Sequence, residues 1–217
     1  MEDDREKIFG AIRKGLREQS RIVAQRNPRS PLLSPMSADF DSKFSRFSSE
    51  LARVGGETFV SNDLKPLLDS VLNRTHAESN IFVYDEIKEI SPTGISSLAE
   101  SRRVAYSSDL SVGYDKREVA VFDSVIAPCV ACIAETGTIV FHTEARLPAA
   151  LCTRLFVVAP AKSLVATLDE IFQEKFSSFQ GSNLFFITGP SRTADIEKEL
   201  VTGVHGPKEV LVLFYRA

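Results

Sequence analysis

The sequence predicts an α/β sandwich built on a largely parallel sheet, and two patterns support this fold class. Short apolar runs of strand length, such as 155–159 and 209–215, alternate along the chain with segments of helical periodicity. The runs are apolar at nearly every position, which is typical of parallel strands covered on both faces. Because strands and helices alternate rather than segregate, we expect helical crossovers between parallel strands.

The composition limits the class of protein. The chain has 217 residues, enough for one sizeable core and an appendage, and its formal net charge of −3 argues against a general nucleic-acid binder. No stretch approaches the ~20 apolar residues of a membrane span, and the charged residues 1–7 contain no signal-peptide core. Three cysteines are too few for a disulfide framework. We therefore expect a cytoplasmic protein.

Residues 1–37 are predicted to form an amphipathic helix and a Pro-rich linker ahead of a domain at 38–217. Three prolines in 27–37 exclude a continuous helix there. The apolar stripe of the helix either packs on the body or docks a partner subunit. The residues of this stripe are Phe9, Ile12, Leu16 and Val23.

The elements of the body follow from periodicity and from the residues that interrupt it. A helix from Phe40 ends at Gly55-Gly56 and carries an aromatic face that we assign to the core. A short amphipathic helix over 194–200 is predicted to be capped by Ser191 or Thr193. The remaining predicted helices are 63–73, 95–101 and 163–176, and the predicted strands are 57–60, 80–84, 103–106, 139–142, 155–159, 184–188 and 209–215, with further buried strands in 121–134.

The segment 134–138, Ala-Glu-Thr-Gly-Thr, interrupts two apolar runs with polar residues. Gly137 permits a close backbone approach to a ligand, and the hydroxyls of Thr136 and Thr138 are suited to a carboxylate or a phosphate. A tight hairpin turn with Glu135 in solvent would explain the same composition. Ligands of open α/β sheets collect at the carboxyl ends of strands, and this segment follows a predicted strand, so we favour a binding site.

A second polar segment follows the predicted strand 184–188. It places Arg192 beside the N-terminus of the predicted helix, where the helix dipole and exposed N–H groups favour an anion. Arg192 is then a bidentate clamp for a small anion, and Asp195 is expected to orient either Arg192 or a backbone N–H. His205, held in a glycine-flanked turn, is a candidate for hydrogen bonding or proton transfer near neutral pH.

The candidate site draws on both segments and on Arg146, a second clamp in the predicted loop after 139–142. Its candidate catalytic residues are Glu135 and His205. Its candidate ligand-binding residues are Thr136, Gly137, Thr138, Arg146, Gly189, Ser191, Arg192, Thr193 and Gly206.

The three cysteines are interpreted as small buried residues, and no metal site is predicted. A metal or redox role is the less favoured alternative. Cys129 and Cys132 form a C-x-x-C pair, but side chains three apart in a strand point to opposite faces, unless a turn follows Pro128. A structural zinc site or an iron–sulfur cluster also usually requires four protein ligands. No dinucleotide or Walker motif is present, which argues against a built-in NAD or ATP site.

Taken together, the segments 134–138, 189–197 and 203–207 resemble the LUD domain of the lactate-utilisation protein C family, over roughly residues 39–215. The resemblance implies a three-layer α/β/α sandwich like that of ribose-5-phosphate isomerase, glucosamine-6-phosphate deaminase and CoA transferases. It also implies a subunit of a bacterial system that oxidises L-lactate to pyruvate, in which iron–sulfur partner proteins carry the clusters and this chain binds no cofactor. Departures from the family pattern at 127–132 and 151–155 mark a divergent member.

Two other functions remain open from the sequence. An independent CoA-transferase-like or sugar-phosphate enzyme would use Glu135, in the first case as the nucleophile that forms an acyl-enzyme. A non-catalytic regulatory protein would retain the pocket without using it. Association into a homo-oligomer is compatible with each of these functions.

Overall fold

A computed structural model describes residues 39–109, 116–142, 146–174, 184–194, 200–202 and 206–216. The predicted arm and linker lie outside these residues, as do Asp195 and His205. The helices are α1 (Phe40–Arg53), α2 (Lys65–Arg74), α3 (Asp85–Ile90), α4 (Pro92–Ser101), α5 (Lys116–Val119), α6 (Arg146–Leu151) and α7 (Leu168–Glu174). The strands are β1 (Glu57–Ser61), β2 (Asn80–Val83), β3 (Arg103–Tyr106), β4 (Ser124–Pro128), β5 (Ala131–Ile133), β6 (Thr138–His142), β7 (Arg154–Pro160), β8 (Leu164–Val165), β9 (Leu184–Ile187), β10 (Arg192–Ala194), β11 (Leu200–Thr202) and β12 (Glu209–Tyr215).

The central sheet has six parallel strands in the order β1-β12-β7-β4-β2-β3. The five inner residues of both β7 and β12 are buried, because these strands lie in the middle of the sheet. Continuous apolar runs are what a strand buried on both faces requires. The predicted α/β fold with a parallel sheet flanked by helices is therefore confirmed.

A second, four-stranded sheet, in the order β8-β5-β6-β9, continues from the carboxyl ends of two central strands. The chain passes from β4 to β5 through Cys129 and Val130, and from β7 to β8 through the 3-10 turn Ala161–Ser163. Strands β5 and β6 pair antiparallel, and β8 pairs parallel with β5. Both predicted ligand segments begin in this second sheet, since they follow β5 and β9.

Helix α1 begins and ends at residues that its sequence predicts. The Asp39 side chain accepts the Ser42 N–H at 2.8 Å, which is an N-cap. At the other end Gly55 adopts a φ of 92°. The Gly55 and Gly56 N–H groups donate to the carbonyls of Ala52 and Leu51, both at 2.9 Å, the Schellman pattern that ends a helix.

The aromatic face of α1 packs on one central strand, as predicted. Phe40, Phe44 and Phe47 each contact the ring of Phe214 in β12, in edge-to-face geometry with centroids 5.9, 5.5 and 5.2 Å apart. Aromatic pairs of this kind contribute about 0.5–1.5 kcal/mol each beyond area burial. They fix α1 against the central sheet.

The predicted helix from Ser163 through Phe176 is wrong at its start. The Ser163 hydroxyl donates to the Pro160 carbonyl at 2.7 Å within the 3-10 turn and caps no helix. Leu164 and Val165 then pair with β5 as strand β8. Helix α7 begins only at Leu168.

The predicted helix over 194–200 is wrong as well. Arg192–Ala194 and Leu200–Thr202 pair as an antiparallel two-stranded sheet, with residues 195–199 outside the described part. Among the described residues, Ser191 precedes a strand and Thr193 lies within it, so neither stands at the start of a helix as predicted.

Smaller differences concern the lengths and settings of elements. Helix α3 was not predicted, and α4 begins at Pro92 rather than at Ile95, because proline is well tolerated in a first helical turn. Strand β9 was predicted to be buried, yet its residue Phe186 is 42% exposed, because β9 is an edge strand of its sheet. Within the described residues, no helix combines the length and apolarity needed to cross a bilayer.

Candidate functional site

Three threonine hydroxyls bring the two predicted ligand segments together. The Thr136 and Thr138 Oγ1 atoms are 2.7 Å apart, and those of Thr138 and Thr188 are 2.8 Å apart. The contact arises because β6 and β9 pair antiparallel, with Ile139 opposite Ile187. The Ala-Glu-Thr-Gly-Thr turn and the start of the Gly-Pro-Ser-Arg-Thr segment are thus neighbours, as the sequence predicted.

Gly137 lies against a helix rather than an open space. It is buried with a φ of 65°, and a Cβ atom there would lie 2.6 Å from the Leu51 backbone nitrogen of α1. The close approach that Gly137 permits is thus an approach to α1. The turn that contains it connects β5 to β6 as a hairpin.

Gly189 and Arg192 meet the C-terminal end of the same helix. A Cβ atom on Gly189, whose φ is 77°, would lie 2.4 Å from Val54 Cγ2. The Arg192 guanidinium donates through Nη2 to the Val54 carbonyl oxygen at 2.7 Å. A cation at a helix C-terminus is favourable because unpaired carbonyls there carry partial negative charge. Arg192 is exposed, so the helix end holds a guanidinium that solvent still reaches.

Ser191 joins the second segment to the chain just before β12. Its N–H donates to the Pro207 carbonyl at 2.7 Å, and Gly206, with a φ of 100°, would place a Cβ atom 3.0 Å from Ser191 Cβ. The same added atom would lie 3.6 Å from the Ala150 carbonyl in α6. The loop before β12 therefore packs against both Ser191 and α6.

Three predicted positions differ or fall outside the described part. Arg146 was predicted in a loop but begins helix α6. The side chains of Arg146 and Thr193 lie outside the described part, as does the whole of His205. Their roles stay predictions.

Glu135 connects the hairpin turn to α7. Its N–H donates to the Ala166 carbonyl at 3.0 Å, and its Oε1 accepts the Leu168 N–H at 3.3 Å. A carboxylate at a helix N-terminus satisfies an otherwise unpaired N–H and complements the dipole. Glu135 therefore serves as an acceptor for the first turn of α7.

A polar cluster that was not predicted from the sequence lies at the carboxyl edge of the central sheet. Asp85 follows β2 and accepts from the Ser107 hydroxyl at 2.5 Å, the Ser108 N–H at 2.8 Å and the Ser108 hydroxyl at 3.1 Å. The Ser107 hydrogen bond is the main cause that lowers the pKa of Asp85. Polar residues directly after two neighbouring strands, 80–83 and 103–106, are the signal that would have found it.

Cys129 and Cys132 point toward each other, unlike the expectation for a strand. Their Sγ atoms are 3.7 Å apart, since the chain bends between β4 and β5. Cys152 directly follows α6, with its Sγ donating to the Ala149 carbonyl at 3.6 Å, and burial raises its pKa to about 12. Across the part of the chain that the structure describes, no three or more His, Cys, Asp or Glu residues lie close enough to hold a metal ion.

Comparison with known proteins gives consistent matches. A sequence model of the LUD domain matches residues 45–215. Lactate utilization protein C of Anoxybacillus flavithermus is 32% identical over 160 residues, which cover 69% of this chain and 70% of that protein. The protein of the same name from Bacillus subtilis is 35% identical over 83 residues, or 35% of each chain.

Two further matches are to another bacterial protein and to a solved structure. An uncharacterized protein of Neisseria meningitidis is 30% identical over 90 residues, so the match spans only 37% of its length. The crystal structure of a DUF162 family protein from Deinococcus radiodurans superposes with a TM-score of 0.61 at 18% identity, covering 82% of this chain and 99% of that one. This superposition shows a shared fold.

Proposed function

Because this chain belongs to the LUD domain family, we propose that it is a subunit of a bacterial L-lactate utilisation system and binds a small carboxylate. The names of its relatives in Anoxybacillus and Bacillus support the pathway. The matches cover from about a third to 70% of the relatives' chains. A role in lactate utilisation is therefore proposed for this chain from those relatives.

The observation that carries the ligand proposal is the setting of Arg192. Its guanidinium is oriented by the Val54 carbonyl at 2.7 Å yet remains exposed. A guanidinium has five N–H donors in a planar fork, so one bond to Val54 leaves an edge for a carboxylate. A fixed side chain also loses less conformational entropy when the ligand binds.

Hydroxyl groups complete the proposed site. Thr136 and Ser191 belong to the two segments that pack against residues 50–55, at and just beyond the C-terminal end of α1. Lactate and pyruvate each carry an oxygen beside the carboxylate, and a hydroxyl can donate to or accept from that oxygen. We propose that Arg192 binds the carboxylate and that these hydroxyls bind the neighbouring oxygen.

The oxidation of L-lactate to pyruvate needs an electron acceptor, which we place in iron–sulfur partner proteins. A cluster is held by four cysteine thiolates in the common case, and this chain has three cysteines. Copurification of iron–sulfur proteins with a tagged form of this chain tests the partner proposal. Complementation tests the pathway: this chain should restore growth on L-lactate to a bacterial strain from which the related protein has been deleted. Failure of both would contradict the pathway.

Ligand binding is tested by the melting temperature of purified protein with L-lactate, pyruvate, D-lactate or acetyl-CoA. A ligand that binds only the folded state raises the melting temperature by mass action. We expect a shift with L-lactate or pyruvate that Arg192→Ala abolishes. The exposed Arg103, at the start of β3, supplies the matched control Arg103→Ala, which should keep the shift.

Each variant is compared with its own ligand-free melting temperature, since Arg192→Ala also removes the bond to Val54. A shift that survives in Arg192→Ala would contradict the proposed site. A shift with acetyl-CoA alone would favour the independent CoA-transferase-like enzyme instead.

A further inference from the structure

The crossover between the two sheets brings two thiols into contact. Strand β4 ends at Pro128 and β5 begins at Ala131, so Cys129 and Val130 make the whole connection. The Cys129 N–H donates to the Val158 carbonyl at 3.3 Å and the Val130 N–H to the Val140 carbonyl at 2.8 Å. Because these two bonds go to strands of different sheets, the chain bends here, and the bend turns the two side chains toward each other.

The resulting geometry suits a sulfur–sulfur bond. The Sγ atoms of Cys129 and Cys132 are 3.7 Å apart, a van der Waals contact, and a disulfide needs them to close to about 2.05 Å. We propose that Cys129 and Cys132 are a reversible oxidation site that low-molecular-weight disulfides, such as oxidised glutathione, convert to an intramolecular disulfide. This proposal stands independently of the lactate proposal.

The surroundings favour a disulfide over a metal. Two thiolates are half the usual ligand set of a structural zinc site. Cys129 also contacts Ser163, whose Oγ lies 3.9 Å from Cys129 Sγ and donates its own proton to the Pro160 carbonyl at 2.7 Å. Its oxygen is therefore an acceptor for the Cys129 thiol, which keeps this thiol oriented beside Cys132.

The exposures of the two cysteines set the order of the exchange. Cys129 is 9% exposed, whereas Cys132 is fully buried. The Cys129 thiolate attacks one sulfur of oxidised glutathione, the sulfur–sulfur bond of that reagent breaks, and one glutathione thiolate leaves. The Cys132 thiolate then attacks the Cys129 sulfur of the mixed disulfide and releases the second glutathione. Two electrons pass from the protein thiols to the reagent, and their two protons end on the two glutathione thiols.

The test is mass spectrometry of the folded, full-length protein after incubation with oxidised glutathione. Trypsin places Cys129 and Cys132 together in the peptide 118–146 and Cys152 in the peptide 147–154. We expect the first peptide to lose the mass of two hydrogen atoms and to regain it with reductant. We expect Cys152, buried in the connection after α6, to remain a thiol.

Variants separate the two steps. Cys132→Ala should accumulate glutathione on Cys129, because the resolving thiol is gone. Cys129→Ala should take up little glutathione, because Cys132 is buried. Cys152→Ala is the control and should form the internal disulfide like the wild type.

Two results would overturn the proposal. In one, the folded wild-type peptide 118–146 stays a dithiol in excess oxidised glutathione. In the other, the wild type stops at the mixed disulfide without closing the ring. Protein unfolded in urea serves as a reference, because there Cys152 should also be oxidised.

Discussion

The hydroxyl groups of Thr138 and Thr188 lie 2.8 Å apart, and their contact joins the hairpin turn after β5 to the segment that follows β9. Thr138 also lies 2.7 Å from the hydroxyl of Thr136, so it is the middle member of a chain of three. It is buried, while Thr136 and Thr188 are exposed. One hydroxyl can donate to one neighbour and accept from the other, which lets Thr138 satisfy both contacts.

We expect Thr138→Val to lower the free energy of unfolding by about 1 kcal/mol, because it removes the buried hydroxyl while keeping the side-chain volume. The effect should not be larger, since the exposed Thr136 and Thr188 can bond to water. A double-mutant cycle with Thr188→Val, measured by urea unfolding, isolates the pair. We expect a coupling of about 0.5–1 kcal/mol. Additive effects of the two substitutions would show that the contact contributes nothing to stability.

Elements with strong local signals were predicted well from the sequence. The bounds predicted for 103–106 and 209–215 agree with β3 and β12, and the helix from Phe40 ends where Gly55 and Gly56 form the Schellman pattern. In each case an apolar pattern and the residues that interrupt it lie within a few positions of each other, so that no distant contact is needed to recognise them.

Features decided by distant partners were not predictable from local sequence. Leu164 and Val165 look helical beside the segment that follows, but their pairing with β5, about thirty residues earlier, makes them a strand. Gly137 was assigned to a ligand because its partner Leu51 is far away in the chain. The two predicted ligand segments lie beside each other because strands of the second sheet pair, and this sheet was not recognised in the sequence.

Gly137→Ala tests whether this glycine is required by packing. Its φ of 65° is unfavourable for alanine, and the added Cβ would meet the Leu51 nitrogen at 2.6 Å. We expect the free energy of unfolding to fall by about 3 kcal/mol or more. Gly55→Ala is the matched control: its φ is 92°, but the nearest atom to its Cβ is 3.4 Å away, on the Arg192 side chain.

The control should cost only about 1–2 kcal/mol, because it adds backbone strain without a clash. Urea or thermal unfolding of both variants gives the comparison. Equal losses at the two positions would mean that the backbone conformation, and not the contact with α1, requires glycine at 137.

Glu135 variants separate a structural role from a nucleophilic one. Glu135→Ala removes the acceptor for the Leu168 N–H, and we expect a loss of about 0.5–1 kcal/mol in the free energy of unfolding. Glu135→Gln keeps a carbonyl oxygen at this place and should recover most of it. Label exchange between acetyl-CoA and acetate should be absent in the wild type. An exchange that is present in the wild type and lost in Glu135→Gln would instead establish the acyl-enzyme function.

Cys152 should make the protein lose stability in alkaline solution. Burial raises its pKa from 9.0 to about 12, so the native state holds the thiol proton more tightly than the unfolded state does. Its contribution is complete below the unfolded pKa and is lost as the pH rises toward the folded one. We expect the stability lost through Cys152 to reach about 2.7 kcal/mol by about pH 11. The free energy of unfolding in urea, measured at several pH values from neutral upward, should fall more steeply for the wild type than for Cys152→Ala.

Comparing the slopes of the two proteins removes the pH-independent cost of the cavity that alanine leaves and the titration of groups common to both proteins. Parallel slopes would mean that the Cys152 thiol ionises as readily in the folded protein as in the unfolded chain.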